Sequence, residues 1–305
     1  MKFAFMKSQA HKFKIDQMAK VLQVSRAGYY KYLQRKPGPR ATRAAVLLAK
    51  IKQVHRGRLR VYGSPRVHEE LRTQGVPCSR KAVARLMRQH GISSKIRKHW
   101  QKTTRSNHDP ARIAPNLLEQ NFTVLAPNLA WVADITYIWT RAGWLYLAVV
   151  IDLFSRKVVG FSTSAHIDTP LVLRALEQAV CRRQPDRNLI HHSDRGSQYS
   201  SDQFRAFLRK CGIRPSMSAK GHCYDNAVAE SFFHTLKTEH TNFYDYTDRA
   251  EATASIFEYI EVFYNRERLH STINYVAPAQ FEQQYWHRES RVKLAQPAIE
   301  ATVIL

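Results

Sequence analysis

A carboxylate stands in the middle of an apolar, β-branched run, Trp131-Val132-Ala133-Asp134-Ile135-Thr136-Tyr137-Ile138. Such a run predicts a strand, and an acid inside it is costly unless a cation offsets its charge. Two further acids have related settings. Asp194 closes the short apolar run Leu189-Ile190-His191-His192-Ser193 and is followed at once by the turn signal Arg195-Gly196-Ser197. Glu230 lies on the helical pattern Asn226-Ala227-Val228-Ala229-Glu230-Ser231-Phe232-Phe233, with thirty-five residues between it and Asp194. Three converging acids predict a divalent-metal site, and phosphoryl transfer on a polyanion is the chemistry such a site supports.

The surrounding pattern supplies a frame for that convergence. Strands are expected at 130–139, 144–151, 157–164, 189–192 and 213–217, and helices at 169–181, from Ser200 or Ser201 to 210, at 226–240 and at 249–264. The run 144–151 is continuously apolar, as in a strand covered on both faces. The order βββ-α-β-α-β-α reads as an α/β fold, a mixed sheet flanked by helices. It places Asp134 mid-strand, Asp194 at the end of a neighbouring strand and Glu230 in the first turns of a helix laid across them. Two magnesium ions about 4 Å apart, flanking a scissile phosphate, fit this layout, with manganese as a substitute. Lys237 follows Glu230 by seven residues, close to two helical turns, so it shares that face, while Ala229, Phe232, Phe233 and Leu236 take the core side. Lys237 is expected to hold DNA phosphate beside the metals; an ordinary solvated lysine is the alternative.

The net charge is +24, and it is unevenly spread. Residues 1–120 carry 28 Lys/Arg against 5 Asp/Glu, and residues 121–305 carry 20 against 19. A basic half of this kind neutralises phosphates and binds nucleic acid in a salt-dependent way. It contains two helical units. Residues 15–34 read as a helix-turn-helix in which Ser25 caps a second helix presenting Arg26, Tyr29 and Lys31 to DNA, with Gly28 as an unfavourable helix residue. After the breaker Lys36-Pro37-Gly38-Pro39 come three helices. The first has Val46, Leu47, Ile51 and Val54 on its apolar side, and the second opens at Ser64-Pro65. The third is capped by Ser79 and carries Arg80, Lys81, Arg85 and Arg88. A trihelical module with a basic last helix is a common DNA-binding pattern, and a bundle touching only phosphates is its alternative. No stretch of 18 apolar residues and no secretory signal is found, so neither a membrane span nor export is expected. The four cysteines form no C-x-x-C pair, which fits a reducing cytoplasm.

Other residues invite competing readings. Asp152 suits a strand-to-strand turn, and Asp225 and Asn226 suit helix caps. Of His191 and His192, one is assigned to the core and the other to a DNA or water contact, since histidine is not a favoured magnesium ligand. Lys220 and Gly221 fall in a loop that either touches DNA or is plain surface. Tyr264, Arg266, Arg268 and His270 either pack at a helix end or contact DNA.

Four runs carry a specific resemblance: Trp131 to Tyr137, His192-Ser193-Asp194-Arg195-Gly196-Ser197-Gln198-Tyr199, Lys220-Gly221-His222-Cys223-Tyr224-Asp225-Asn226-Ala227-Val228-Ala229-Glu230, and Tyr264-Asn265-Arg266-Glu267-Arg268-Leu269-His270-Ser271. Together they resemble the second reading frame of IS-three-family insertion-sequence transposases, from the early helix-turn-helix to the region of Phe281. The resemblance implies an RNase H-like, retroviral integrase-like core behind an all-α helix-turn-helix region. It implies magnesium-dependent DNA strand transfer with Asp134, Asp194 and Glu230 as catalytic acids: single-strand cleavage at an element end, then attack of the freed 3′-hydroxyl to join ends and insert a circle into target DNA. Lys220 and Lys237 become expected DNA contacts, and a homo-oligomer on double-stranded element ends and target, at the nucleoid, is implied. The division expected is 1–36 and 42–98 as helix-turn-helix-like DNA-binding units, 99–120 as a basic linker, 121–287 as the catalytic domain and 288–305 as a tail. In this family the active enzyme is usually a frameshift fusion whose upstream part adds a helix-turn-helix and a leucine zipper. No sustained heptad repeat is present here, so the upstream product is an expected fusion or partner. A nuclease that only hydrolyses, and a DNA-binding regulator with an inactive core, are the alternatives.

Overall fold

The computed structural model describes residues 1–34, 38–95, 113–119, 121–218 and 226–300, with side chains through Arg291. The chain opens with α1 (Lys2–Gln9), α2 (Ile15–Val21) and α3 (Arg26–Gln34), which close on a small core of Met6, Met18, Ala19 and Tyr29. The sequence pattern predicts only α2 and α3. With α1 present, Gly28 is explained. An added Cβ there would lie 2.8 Å from Ser25 Oγ and 3.0 Å from the Phe3 ring, so its bareness lets Phe3 pack on α3 while Ser25 Oγ accepts the Gly28 N–H.

The second unit is α4 (Pro39–Gly57), α5 (Ser64–Thr73) and α6 (Arg80–Gln89). Ser79 Oγ accepts the Ala82 N–H as the expected cap, and Gly75 and Gly91 end α5 and α6 in the left-handed conformation that a Cβ disfavours. One expected core residue is displaced: Val46 is exposed. The inward stripe of α4 is Ala44, Leu47, Ile51 and Val54, spaced three or four apart, and Val46 falls a third of a turn outside it.

Five strands then form one sheet, β1 (Ala130–Thr140), β2 (Gly143–Asp152), β3 (Val158–Ser164), β4 (Ile190–Ser193) and β5 (Arg214–Met217), in the order β3-β2-β1-β4-β5. β1, β2 and β3 are antiparallel neighbours; β4 runs parallel to β1, and β5 parallel to β4. The crossover helices α7 (Thr169–Arg183) and α8 (Asp202–Lys210) cover the face bearing Trp131, Ala133, Ala148 and Val150. Both start as the sequence suggests, with Asp168 and Ser201 accepting first-turn N–H groups. α7 lies so close to β3 that a Cβ on Gly160 would stand 2.2 Å from the Ala175 carbonyl oxygen. The opposite face, bearing Val132, Ile138, Leu147 and Val149, is covered by α9 (Ala227–Glu239) and α10 (Arg249–Glu258). The expected helix to 264 continues beyond α10 as a π-helical segment, Tyr259–Tyr264. Asp152 is buried and accepts the N–H groups of Asn128 and Ser155, the turn role expected of it.

Two boundaries differ from expectation. Residues 113–119 are packed on the sheet: Ser216 Oγ accepts the Leu117 N–H, Pro115 O accepts the Met217 N–H, and Leu118 is buried in the main core. The apolar residues among them earn burial that a purely basic linker could not. The final helix α11 (Pro278–Glu300) runs straight through the expected boundary at 287. Among the described residues no helix is long and apolar enough to cross a membrane.

Candidate active site

Strand register brings the first two acids together. Ala130, Trp131 and Val132 of β1 pair with Ile190, His191 and His192 of β4. The same offset carried two residues on sets Asp134 level with Asp194, just past the end of β4. There the chain turns sharply, and Asp194 Oδ1 accepts the Gly196 N–H at 2.9 Å. The turn leaves no room for a side chain at Gly196, whose Cβ would lie 2.9 Å from that same oxygen and 2.5 Å from Gln198 Nε2. Alternation along β1 directs Asp134 to the face of Val132 and Ile138, the face α9 covers. Glu230 is in the first turn of α9, on its exposed side, while Ala229, Phe232, Phe233 and Leu236 point into the core as expected.

Electrostatics tie these groups to one another. Burial and then the charge of Asp194 push the Asp134 carboxyl up to about 8; Glu230 adds to the rise, while Lys237 and the Ile135 N–H oppose it. Burial raises Glu230 and lowers Lys237, the latter against the pull of Asp134. The Lys237 ammonium lies 4.3 Å from the centre of the Tyr137 ring. It is therefore engaged between the acid and an aromatic face, not extended into solvent. Among the described residues no three His, Cys, Asp or Glu side chains form a ready-made metal cage. The arrangement is an aspartate pair at the floor with an exposed glutamate on the rim.

Three residues of this neighbourhood escape sequence reasoning. Tyr199 is buried with an unpartnered hydroxyl among the described residues, and burial with the charges of Asp134 and Asp194 keeps it protonated. Asn226 does not cap α9 with its side chain; its Nδ2 donates to the Ala133 carbonyl, one residue before Asp134, at 3.4 Å. Tyr137 is the seat of Lys237. Both histidines are core residues, which corrects the expectation that one of them faces DNA or water. His191 packs on Tyr199 and Phe204, and His192 is hydrogen-bonded with the hydroxyls of Ser216 and Ser218.

Of the basic residues singled out, Arg80, Lys81, Arg85 and Arg88 all lie exposed on α6, with Val83, Leu86 and Met87 turned inward. Arg26 and Lys31 are exposed on α3, Arg26 in an ion pair with Asp16 at 2.7 Å. Tyr29 is 3% exposed, so the expected DNA contact there is corrected: α1 covers the side of α3 on which it lies. Lys220 lies outside the described residues.

The tail motif turns out to be a fastening. Tyr264 donates to the Arg156 carbonyl, and the Asn265 amide both accepts the Val158 N–H and donates to the Val158 carbonyl. Arg268 makes two 2.7 Å bonds to Glu239 at the end of α9. The α4–α6 unit binds the same segment. Arg58 pairs with Glu267 at 2.6 Å, and Tyr62 donates to the Glu267 carbonyl while accepting the Leu269 N–H. Arg66 reaches both the Leu269 carbonyl and Glu239. Only Arg266 of the four residues in question stays exposed.

Comparison with known proteins agrees with this architecture. Residues 125–223 and 230–285 match the family described as integrase core domain, and residues 42–100 match an HTH-like domain. The transposase InsF of insertion sequence IS3A from Escherichia coli K12 is 42% identical over 289 residues, covering 92% of this chain and 98% of that protein. An uncharacterized 31 kDa protein of insertion element IS600 from Shigella sonnei is 41% identical over 268 residues, covering 88% and 98%. The HTLV-2 integrase catalytic core domain, solved in complex with magnesium, is 23% identical with a TM-score of 0.32, over 37% of this chain and 70% of that one. A mixed sheet of integrase-core type, preceded by an all-helical region with an HTH-like domain, and this identity over nearly the full length place the chain in one group: it belongs to the IS3 family of transposases, polynucleotidyl transferases of DNA transposition.

Proposed function

We propose that Asp134, Asp194 and Glu230 are the catalytic carboxylates of this transposase and the ligands of its magnesium. The observation that carries the reading is the level placement of Asp134 on β1 with Asp194 just past the end of parallel β4, the Asp134 carboxyl being driven upward by burial and by its partner. Burial and the charge of Asp194 disfavour the ionised form of Asp134, and added positive charge relieves that cost. All-oxygen donors of this kind fit a hard divalent cation, and Glu230 on the rim completes the donor set. When bound, a pair of magnesium ions supplies charge stabilisation at the attacking and leaving oxygens of a phosphodiester, with manganese as a substitute. The chain's own residues do the rest. Asn226 fixes the start of α9 against β1. Lys237, poised between Asp134 and Tyr137, is the cation for a DNA phosphate next to the acids.

The basic residues Arg80, Lys81, Arg85 and Arg88 make α6 the DNA-gripping surface of the HTH-like unit, with Arg26 and Lys31 of α3 as an outlying contact and Lys220 as a further one on motif grounds. The double-stranded substrates are element ends and target, at the nucleoid, with the chain acting as a homo-oligomer and the upstream frame product as fusion or partner. A strand-transfer assay on labelled element-end DNA tests the assignment. Asp134→Asn, Asp194→Asn and Glu230→Gln are each expected to lose joined product while DNA binding persists. Nicking without joining by the wild type favours a nuclease; binding with no cleavage under any metal favours a regulator.

A further inference from the structure

β4 ends at Ser193, level with the residue before Asp134, so β1 continues past its partner with β2 alone at its side. The two form an arm that leads directly away from the acids. Trp139 and Trp144 are paired across it, with Trp139 56% and Trp144 38% exposed. Their ring centres are 4.8 Å apart, and Tyr137 stands edge-on to Trp144 at 5.1 Å. By strand alternation Tyr137 and Trp139 lie on the sheet face opposite to Asp134; Lys237, which sits over the Tyr137 ring and feels the charge of Asp134, links the ladder to the acid site. At a strand rise of about 3.4 Å per residue, Trp139 is about 17 Å from Asp134.

The arm is held rigid from behind. The Arg249 guanidinium donates to the Trp144 carbonyl at 2.9 Å, the Arg141 N–H to the Tyr246 carbonyl at 2.9 Å, and Thr140 Oγ1 to the Gly143 carbonyl at 2.6 Å. Arg141 also pairs with Asp245. Indole rings fixed in place at the surface lose little freedom when a flat partner lies on them, and cations beside them suit a polyanion.

We infer that Tyr137, Trp139 and Trp144 form a stacking platform for unpaired nucleobases of the DNA strand that runs into the acid site. This rests on the catalytic reading of the acids given above. Bases inside a duplex have their faces covered by their neighbours, so a platform of ring faces and edges selects bases that have left the duplex. It lies a few stacked bases from the cut and steadies the frayed strand there.

The test uses the full chain in metal-free buffer. The probes are a fluorescein-labelled element-end duplex that is blunt and the same duplex with a three-nucleotide 3′ overhang carrying 2-aminopurine. The wild type is expected to prefer the overhang and to quench its 2-aminopurine. Trp139→Ala and Trp144→Ala lose about tenfold of that preference with blunt-duplex affinity unchanged, and Trp139→Phe restores most of it. Equal binding of both duplexes by the wild type, or an equal loss on both in the alanine variants, overturns the proposal. So does an unchanged overhang preference accompanied by a lower sedimentation coefficient in Trp139→Ala, which makes the patch a contact between copies. Failure of the wild type to join strands with magnesium counts against the acid assignment alone.

Discussion

α1–α3 closes around Met6, Met18, Ala19 and Tyr29, with Phe3, Ile15, Leu22 and Val24 at the margin. α4–α6 instead opens its apolar side into the main core, where Ile51, Val67, Leu71 and Val83 share one cluster with Phe232, Tyr259 and Phe263 of the integrase core. Both units are three helices with basic outer surfaces. One has its own core; the other is a layer of the catalytic body, fastened by Arg58, Tyr62 and Arg66 to the segment Glu267 to Leu269 and to Glu239. A helix-turn-helix signature in sequence therefore says nothing about whether the unit moves with the body beside it. Part-buried ionic and hydrogen-bond contacts of long sequence separation decide that.

The contrast can be broken at the fastening. Arg268→Ala strands Glu239, which is buried between Arg268, Arg66 and the Tyr259 hydroxyl. Removing one partner of such a buried pair costs about 3–5 kcal/mol. Urea unfolding is expected to shift by that amount, and hydrogen exchange to rise in α5 and α9 together while α1–α3 is unaffected. Tyr29→Ala tests the other side. A buried aromatic truncated to alanine costs about 3–5 kcal/mol, the low end suiting so small a core. The expected result is loss of protection confined to α1–α3, with the main unfolding transition unmoved.

The finest probe is pH. His270 stands at the fastening, where burial and then the charges of Arg268, Arg156 and Arg66 lower it to about 3. In the unfolded chain it takes a proton near pH 6.5. Unfolding therefore binds a proton as pH falls below about 6.5, and stability is lost across the window from there down to about 3. His270→Gln is expected to reduce the slope of stability against pH by up to about 1.4 kcal/mol per unit between pH 6 and 4. A slope unchanged in urea titrations would remove His270 from the fastening's electrostatics.

Much of this was readable from the chain because local chemistry set it. All five strands and the helices α7, α8 and α9 follow from period-two and period-3.6 apolar patterns, with the Ser201 cap of α8, and the placing of Asp134, Asp194 and Glu230 follows from strand order. The turn role of Asp152 came from the same local logic. What the pattern does not reveal has different physical origins. α1 carries only a weak amphipathic signal, so the covering of Tyr29 was invisible. The pairing of Arg58 and Arg66 with residues near 267 and 239 joins positions 173 to 209 residues apart, and no local spacing encodes it. The inward turn of His192 depends on serines from β5 and its exit, Ser216 and Ser218, and that of His191 on Tyr199 and Phe204, which no reading of the His191-His192 pair alone supplies.

The joint of Arg58, Tyr62 and Arg66 with the segment Glu267 to Leu269 and with Glu239 at the end of α9 has a metric consequence. The outer surface of α6 and the floor at Asp134 belong to one solid piece, like the jaws of a caliper set to a single gap. With α6 as the proposed DNA grip and the acids as the proposed cutting site, the number of base pairs between them is dictated by packed side chains, and a loosened joint should appear as scatter in the position of cleavage before it appears as a slower reaction.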